Sequence, residues 1–381
     1  SAAVSYVVDF IDTIEVNDEY TVTITTDAPY APTLRNLAVP FAAIVPKAVV
    51  EADEEGFKTN PVGSGPYKFV EWKQGDSVKL EAFDDYYAGA PATKYLQMKV
   101  IPEAAQRTIA LETGEIDLAY DIIANDKDKV ADNADLQLLE APSLSCYYVT
   151  MNMKQKPFDD IRVREAINLA IDRQLLVDTI INGAGQVADA IIAPAVFGYS
   201  SPGAYEYDPE KAKEMLAEAG FPAGQTLKFF ISSGSSITER CAALIVQDFA
   251  NVGVNVEIEQ MDFATLMSRM LDGEHDLGII GSGGTLDPSE SREMIYPESS
   301  CNFCQLQDTE LSDLIDKGNA ELTFEARKPY FDEYQEKVVE KAAMGYLYTK
   351  NLLTAYNKSM KNLNVADFNC LNWSSWEWDK E

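Results

Sequence analysis

Apolar and polar positions follow two rhythms along this chain, and the points where one rhythm yields to the other mark out its elements. The clearest change lies in residues 147–171, YYVTMNMKQKPFDDIRVREAINLAI. A strand-like apolar run opens the stretch and breaks at Lys156-Pro157. Helical spacing then begins, with Ile161, Val163, Ala166, Ile167, Ala170 and Ile171 on one face. Asp159 or Asp160 stands where an N-cap carboxylate would accept the helix's unpaired N–H groups. The chain on either side reads as a separate α/β body, so this stretch is taken as a crossing between two lobes.

Ahead of the crossing, period-2 alternation predicts strands at 11–16 and 20–26 with a turn at Asn17-Asp18-Glu19. So much apolar surface with nothing upstream to cover it leads to the expectation that the N-terminal part of a larger domain is absent here. Residues 34–45 read as a helical or extended apolar segment, and 51–55 as a solvated acidic loop. The turn NPVGSGPY, residues 60–67, feeds a strand at 67–72 that forms a hairpin with 77–82, and another strand follows at 96–100. A helix over 103–113 stops at Gly114, and a short strand over 115–120 leaves the loop 121–126 at its C-terminal end, where ligands sit in open α/β sheets.

Beyond the crossing, helices are expected at 172–182, 208–219, 238–251 and 263–270, with strands at 227–231, 254–260 and 277–280 between or after them. Asp208 as cap, Pro209 in the first turn and Gly220 as stop define one of these helices. Two amphipathic helices at 310–322 and 325–341 precede a strand-like run at 346–356 and a tail, 372–378, whose tryptophans read as packing anchors. Strands alternating with helices predict an α/β protein with mixed sheets flanked by helices.

Composition narrows the function. The chain has 381 residues, enough for two or three domains, and a formal charge of −31 that repels nucleic acid and anionic membrane surfaces alike. No stretch is long and apolar enough for a membrane span, and no basic-then-apolar leader opens the sequence. Five cysteines are too few and scattered for a disulfide framework. Cys301 and Cys304 form the one close pair, open to three readings: a zinc half-site, a redox dithiol or a local loop disulfide. The single histidine, His275, sits in a Gly-Glu-His-Asp turn, so the structural reading is preferred and neither metal nor cofactor is expected. No nucleophile elbow or HExxH supports an enzyme. A hydrolase acting on peptides or glycosides through cleft carboxylates, or through the serine of GSGGT, is the alternative function.

Four stretches together carry a resemblance: NPVGSGPYKFVEWKQGDSVKLEAFDDYY (60–87), ALETGEIDLAY (110–120), MNMKQKPFDDIRVREAINLAID (151–172) and YDPEKAKEMLAEAG (207–220). In that order they resemble the family 5 extracellular solute-binding proteins, receptors for oligopeptides, dipeptides and nickel chelates that feed ABC importers. The resemblance implies a two-lobe periplasmic-binding-protein-like fold of type II, with a hinge near 151–153 and again near 346–348. Residues 1–150 would form a partial first lobe, 151–345 the second, and 346–381 a return to the first. It further implies a monomer outside the cytoplasmic membrane or in the periplasm, lipid-anchored in the full-length protein. That monomer would capture an oligopeptide or similar small solute between the lobes and deliver it to ABC transporter permease subunits.

Polar and aromatic positions on strand-end loops supply the candidate ligand site: Tyr120 and Asp121 in the first lobe, Asn152 at the crossing, then Phe197, Tyr199, Ser232, Ser233, Ser282, Gly283, Thr285 and Asp287. Aromatics would give apolar contact, hydroxyls and N–H groups orientation, and aspartates a charge for a cationic group. Two departures bear on the ligand. Peptide-binding members place an aspartate four residues before the proline matching Pro288, to hold the peptide's α-ammonium, and this chain has Gly284 there. The arginine that receives the peptide carboxylate in dipeptide receptors has no match in the short loop 232–236.

Overall fold

The computed structural model describes residues 7–282, 286–363 and 373–378, apart from the side chains of Phe41 and Trp373. The chain divides into two compact units. The larger comprises Ser1–Asn36 and Pro142–Lys350, the smaller Leu37–Ala141 and Asn351–Glu381. Two long strands, Leu136–Met151 and Met344–Asn357, carry the chain across the boundary. The 16-residue strand Leu136–Met151 carries the apolar run that opens the 147–171 stretch back to Leu136.

In the larger unit, Thr226–Ser232 pairs in parallel with Asn255–Met261 on one side and with Leu277–Gly281 on the other. Leu277–Gly281 in turn pairs antiparallel with Leu136–Met151, Leu277 opposite Met151 and Gly281 opposite Tyr147. The core follows from the period of 2 along these strands. Val149, Met151, Leu227, Phe229, Ile231, Leu277 and Ile279 point into one apolar cluster. Cys146, Tyr148, Phe230 and Ile280 point into a second. Helices cover both faces: Ile161–Leu169, Pro209–Glu218 and Ser236–Asn251 pack through Ile167, Leu216, Ile245 and Phe249 on the first. Phe263–Leu271, Glu310–Ala320 and Phe324–Glu340 pack through Met270, Leu311, Phe331 and Tyr334 on the second. A sheet buried on both faces is why its strands read as continuous apolar runs.

Caps set the helix starts as the residue types dictate. Asp160 accepts from Arg162 N, Asp208 from Lys211 N with Pro209 in the first turn, and Ser235 from Thr238 N. Residues 51–55 are not the loop expected of them. They lie across two short helices, Lys47–Ala52 and Glu54–Thr59, with Asp53 capping Gly56 N. Acidic residues at a helix start satisfy its free N–H groups, so the charge run marked a helix N-terminus.

The N-terminal hairpin, Ile11–Val16 with Val22–Thr26, is strongly exposed. Residues 1–36, which the sequence reading assigned to the first lobe, group with the larger unit. Ala31 N donates to Asn319 O at 2.8 Å and Arg35 Nη1 to Leu286 O at 2.6 Å, contacts that tie this segment down. The smaller unit contains the antiparallel sheet Tyr67–Lys73, Ser77–Ala82, Tyr95–Lys99, followed by the helix Ala104–Glu112. It also holds the short strand Leu118–Ala119, paired with Tyr356 and Ala355.

Candidate functional site

Strand direction decides which candidates meet. Thr226–Ser232 and Leu277–Gly281 run parallel, so Ser232 and Ser282 emerge at the same end of the larger unit's sheet, the end where open α/β sheets bind ligands. Ser282 is buried and prolongs the ladder: its N donates to Cys146 O at 2.8 Å and its Oγ accepts from Cys146 N at 2.8 Å. Ser233 is exposed, its N–H donating to Met261 O at 2.7 Å, and Ser232 is half-buried. Gly283 and Thr285 lie outside the described residues.

Asn152 does not join them. It follows Met151 on a strand antiparallel to Leu277–Gly281, which puts it at the opposite end of the sheet from Ser282. It is 1% exposed, and its Nδ2 donates to Gly273 O and His275 O, both at 3.0 Å, while Oδ1 accepts from Lys154 N. With donors and acceptor committed to the backbone, Asn152 shapes the turn after the strand, and its assignment to the ligand site is corrected.

Phe197, Tyr199 and Asp287 are brought together by the glycine between the two aromatics. Gly198 has φ +82°, and a Cβ there would come within 2.9 Å of Pro288 Cγ and 3.2 Å of Phe331, so only glycine lets this loop pack onto the Asp287–Pro288 turn. Tyr199 Oη donates to Asp189 Oδ1 at 2.9 Å, and burial together with that carboxylate pushes the phenol up to about 12. Asp287 has no exposed surface. Its Oδ1 and Oδ2 accept from Arg327 Nη2 at 2.7 Å and Nη1 at 3.0 Å, and Oδ1 also accepts from Ser289 N at 3.0 Å. A carboxylate spent this way is not available to a cationic solute, so the charge role expected of Asp287 is replaced by a structural one.

The same geometry reveals residues that sequence reasoning missed. The Phe197 ring lies under two guanidinium groups, Arg35 at 4.4 Å and Arg327 at 5.2 Å, and meets Phe324 at a centroid distance of 5.6 Å. Arg35 stands alone as a cation between Tyr30 and Lys47, and Arg327 sits in an acidic helix. Those positions were the only trace of either in the sequence.

Tyr120 and Asp121 belong to the smaller unit, where they line a cavity of about 1020 Å³ with Leu80, Met98, Arg107 and Trp376. Asp121 has φ 55°, a left-handed conformation that aspartate tolerates, and its carbonyl accepts from Arg107 Nη2 at 2.6 Å. They are placed by the short strand Leu118–Ala119 and the tight turn that follows it.

Neither group needed for a serine hydrolase is disposed for it, since Ser282 Oγ is bonded to Cys146 N and the buried His275 ring lies with Nε2 2.8 Å from Phe303 O. Burial lowers the His275 pKa to about 4. Cys301 and Cys304 are free thiols, as are Cys146 and Cys241, and burial pushes Cys304 up to about 11, which leaves it an inert buried group. Cys370 lies outside the described residues.

Residues 2–302 match the family model described as bacterial extracellular solute-binding proteins, family 5 Middle. The chain belongs to that family. It is 28% identical over 341 residues to heme-binding protein A of Haemophilus influenzae, covering 86% of this chain and 62% of that protein. It is 36% identical over 255 residues to the glutathione-binding protein GsiB of Pectobacterium atrosepticum, covering 66% of this chain and 49% of that one. The chain thus spans about half to three fifths of the length of these curated relatives. Among solved structures, the periplasmic binding protein DppA of Helicobacter pylori in complex with the peptide STSA superposes with a TM-score of 0.88 at 25% identity, covering 99% of this chain and 76% of that one. The α/β architecture of mixed sheets flanked by helices is the fold of these peptide-binding proteins. No described helix is long and apolar enough to cross a membrane.

Proposed function

We propose that this chain is the solute-capturing part of a receptor that works outside the cytoplasmic membrane, takes up a peptide or similar small solute, and hands it to the permease subunits of an ABC importer without transforming it. The observation that carries this reading is the family match over residues 2–302. Two relatives favour a peptide-like solute: one named for glutathione, a tripeptide, and one solved with the peptide STSA. The two compact units serve as the receptor's lobes, and the receptor acts as a monomer. Phe197, Tyr199, Ser232 and Ser233 offer apolar contact and hydroxyls at the ligand end of the larger unit, with Ser282 and Asp287 holding their loops in place. Tyr120 and Asp121 are the contributions of the smaller unit.

A thermal-shift screen against pools of di-, tri- and longer peptides, glutathione, metal chelates and oligosaccharides tests this. A true ligand at a hundred times its Kd adds about 2.7 kcal/mol of stability. The peptide or glutathione pools are expected to raise the Tm. A rise only with chelates or sugars replaces the peptide assignment, and silence across all pools overturns the receptor reading.

A further inference from the structure

The charge beside the loop after Leu277–Gly281 is the reverse of what the sequence suggests. Asp287 and Arg327 neutralise each other in a buried bidentate pair, and Arg327 is further tied to Gly318 O at 3.2 Å and Asn319 Oδ1 at 3.3 Å. Arg35 remains. Its side chain is 48% exposed, lies on the Phe197 ring at 4.4 Å and donates through Nη1 to Leu286 O at 2.6 Å. Its Nε is 3.8 Å from Asp287 Oδ2, and among the described residues Nη2 has no hydrogen-bond partner. Glu290 is the nearby acid. It accepts from Leu286 N at 3.2 Å, and burial, with Asp287 adding to it, lifts its carboxyl to about 7, so at neutral pH it offsets Arg35 only in part.

We propose that Arg35 is an anion anchor of the solute site in the larger unit, its guanidinium taking a carboxylate of the bound solute. This rests on the receptor reading and adds to it the chemical class of the solute: a small carboxylic acid, such as a peptide with a free C-terminus. The fork is already oriented by Phe197 and by Leu286 O, so little side-chain freedom is lost on binding. A planar guanidinium presents parallel donors that match a carboxylate. Asp287 Oδ2, the ion-pair partner of Arg35 at 3.8 Å, is already held closer by Arg327 Nη1 at 3.0 Å, and Gly284 brings no carboxylate.

The test is calorimetric titration of the wild-type chain, Arg35→Gln and Arg35→Lys with glutathione and its diethyl ester, and with a tripeptide pool as free acids and as C-terminal amides. Wild type is expected to bind the acids at least about tenfold more tightly than the capped forms. Arg35→Gln is expected to lose that preference, its Kd for acids rising about tenfold to a hundredfold and its Kd for capped forms staying put; Arg35→Lys falls between. Acid preference surviving in Arg35→Gln, or equal loss of acid and capped binding, overturns the anchor while the receptor reading stands. Failure of wild type to bind any of these probes overturns the anchor, and it overturns the receptor reading as well only when the thermal-shift screen is silent across all its pools.

Discussion

The largest sheet of the larger unit and the three-stranded sheet of the smaller one are built on opposite terms. In the larger unit, Leu277–Gly281 is buried on both faces up to its last residue, and Phe229 and Phe230, neighbours in sequence, fill different cores. In the smaller unit, Tyr67–Lys73 alternates between half-buried and exposed positions, and Tyr95–Lys99 is exposed at most of its length. The first sheet has little freedom to relax around a lost side chain. The second has water on one side to absorb the change, so equal truncations should carry unequal costs.

Phe229→Ala against Val70→Ala is the sharpest form of that contrast. Phe229 is fully buried and Val70 is 53% exposed. Chemical denaturation should show a loss of about 3–5 kcal/mol for the first and about 0.5 kcal/mol or less for the second. Comparable losses would break the distinction.

Ion pairs extend the comparison with a smaller effect. Asp287→Asn removes the charge from a fully buried carboxylate and leaves Arg327 uncompensated, an expected cost of about 2–3 kcal/mol. Lys58→Ala in the smaller unit breaks a pair with Glu55 in which both side chains are mostly exposed, and should cost about 0.5 kcal/mol or less. Both are read from denaturation midpoints at constant salt.

The smallest of the three contrasts is in pH. His275 is held neutral by burial, its folded pKa about 4 against an ordinary value of 6.5. A depressed histidine contributes stability that is present above its unfolded pKa and is lost as pH falls from there toward its folded value, because the unfolded chain takes up the proton first. Between pH 7.5 and 5.5 the wild type should therefore lose about 1 kcal/mol relative to His275→Gln, which lacks that titration. Parallel pH profiles for the two would refute the buried neutral ring.

Much of this fold was legible because its signals are local. Asp208-Pro209 announced a helix start, and the apolar runs at 227–231 and 277–280 announced strands. What escaped depends on partners far along the chain. Asp287 reads as an available charge until Arg327, forty residues on, is seen to occupy both its oxygens. Asn152 reads as a cleft residue until strand direction sends it to the far end of the sheet. Arg35 had no signal beyond being a cation among apolar neighbours, since its role comes from Phe197 and Leu286, each more than a hundred and fifty residues away. Residues 51–55 misled for a local reason, because acidic residues suit a helix start as well as a loop.

Whether this chain binds a small peptide-like solute is decided by equilibrium titration. Purified chain is titrated calorimetrically with glutathione and with defined peptides of two to nine residues. At least one of them is expected to bind saturably at one solute per chain. Heat of dilution alone for every peptide, from protein whose cooperative unfolding shows it to be folded, would contradict it.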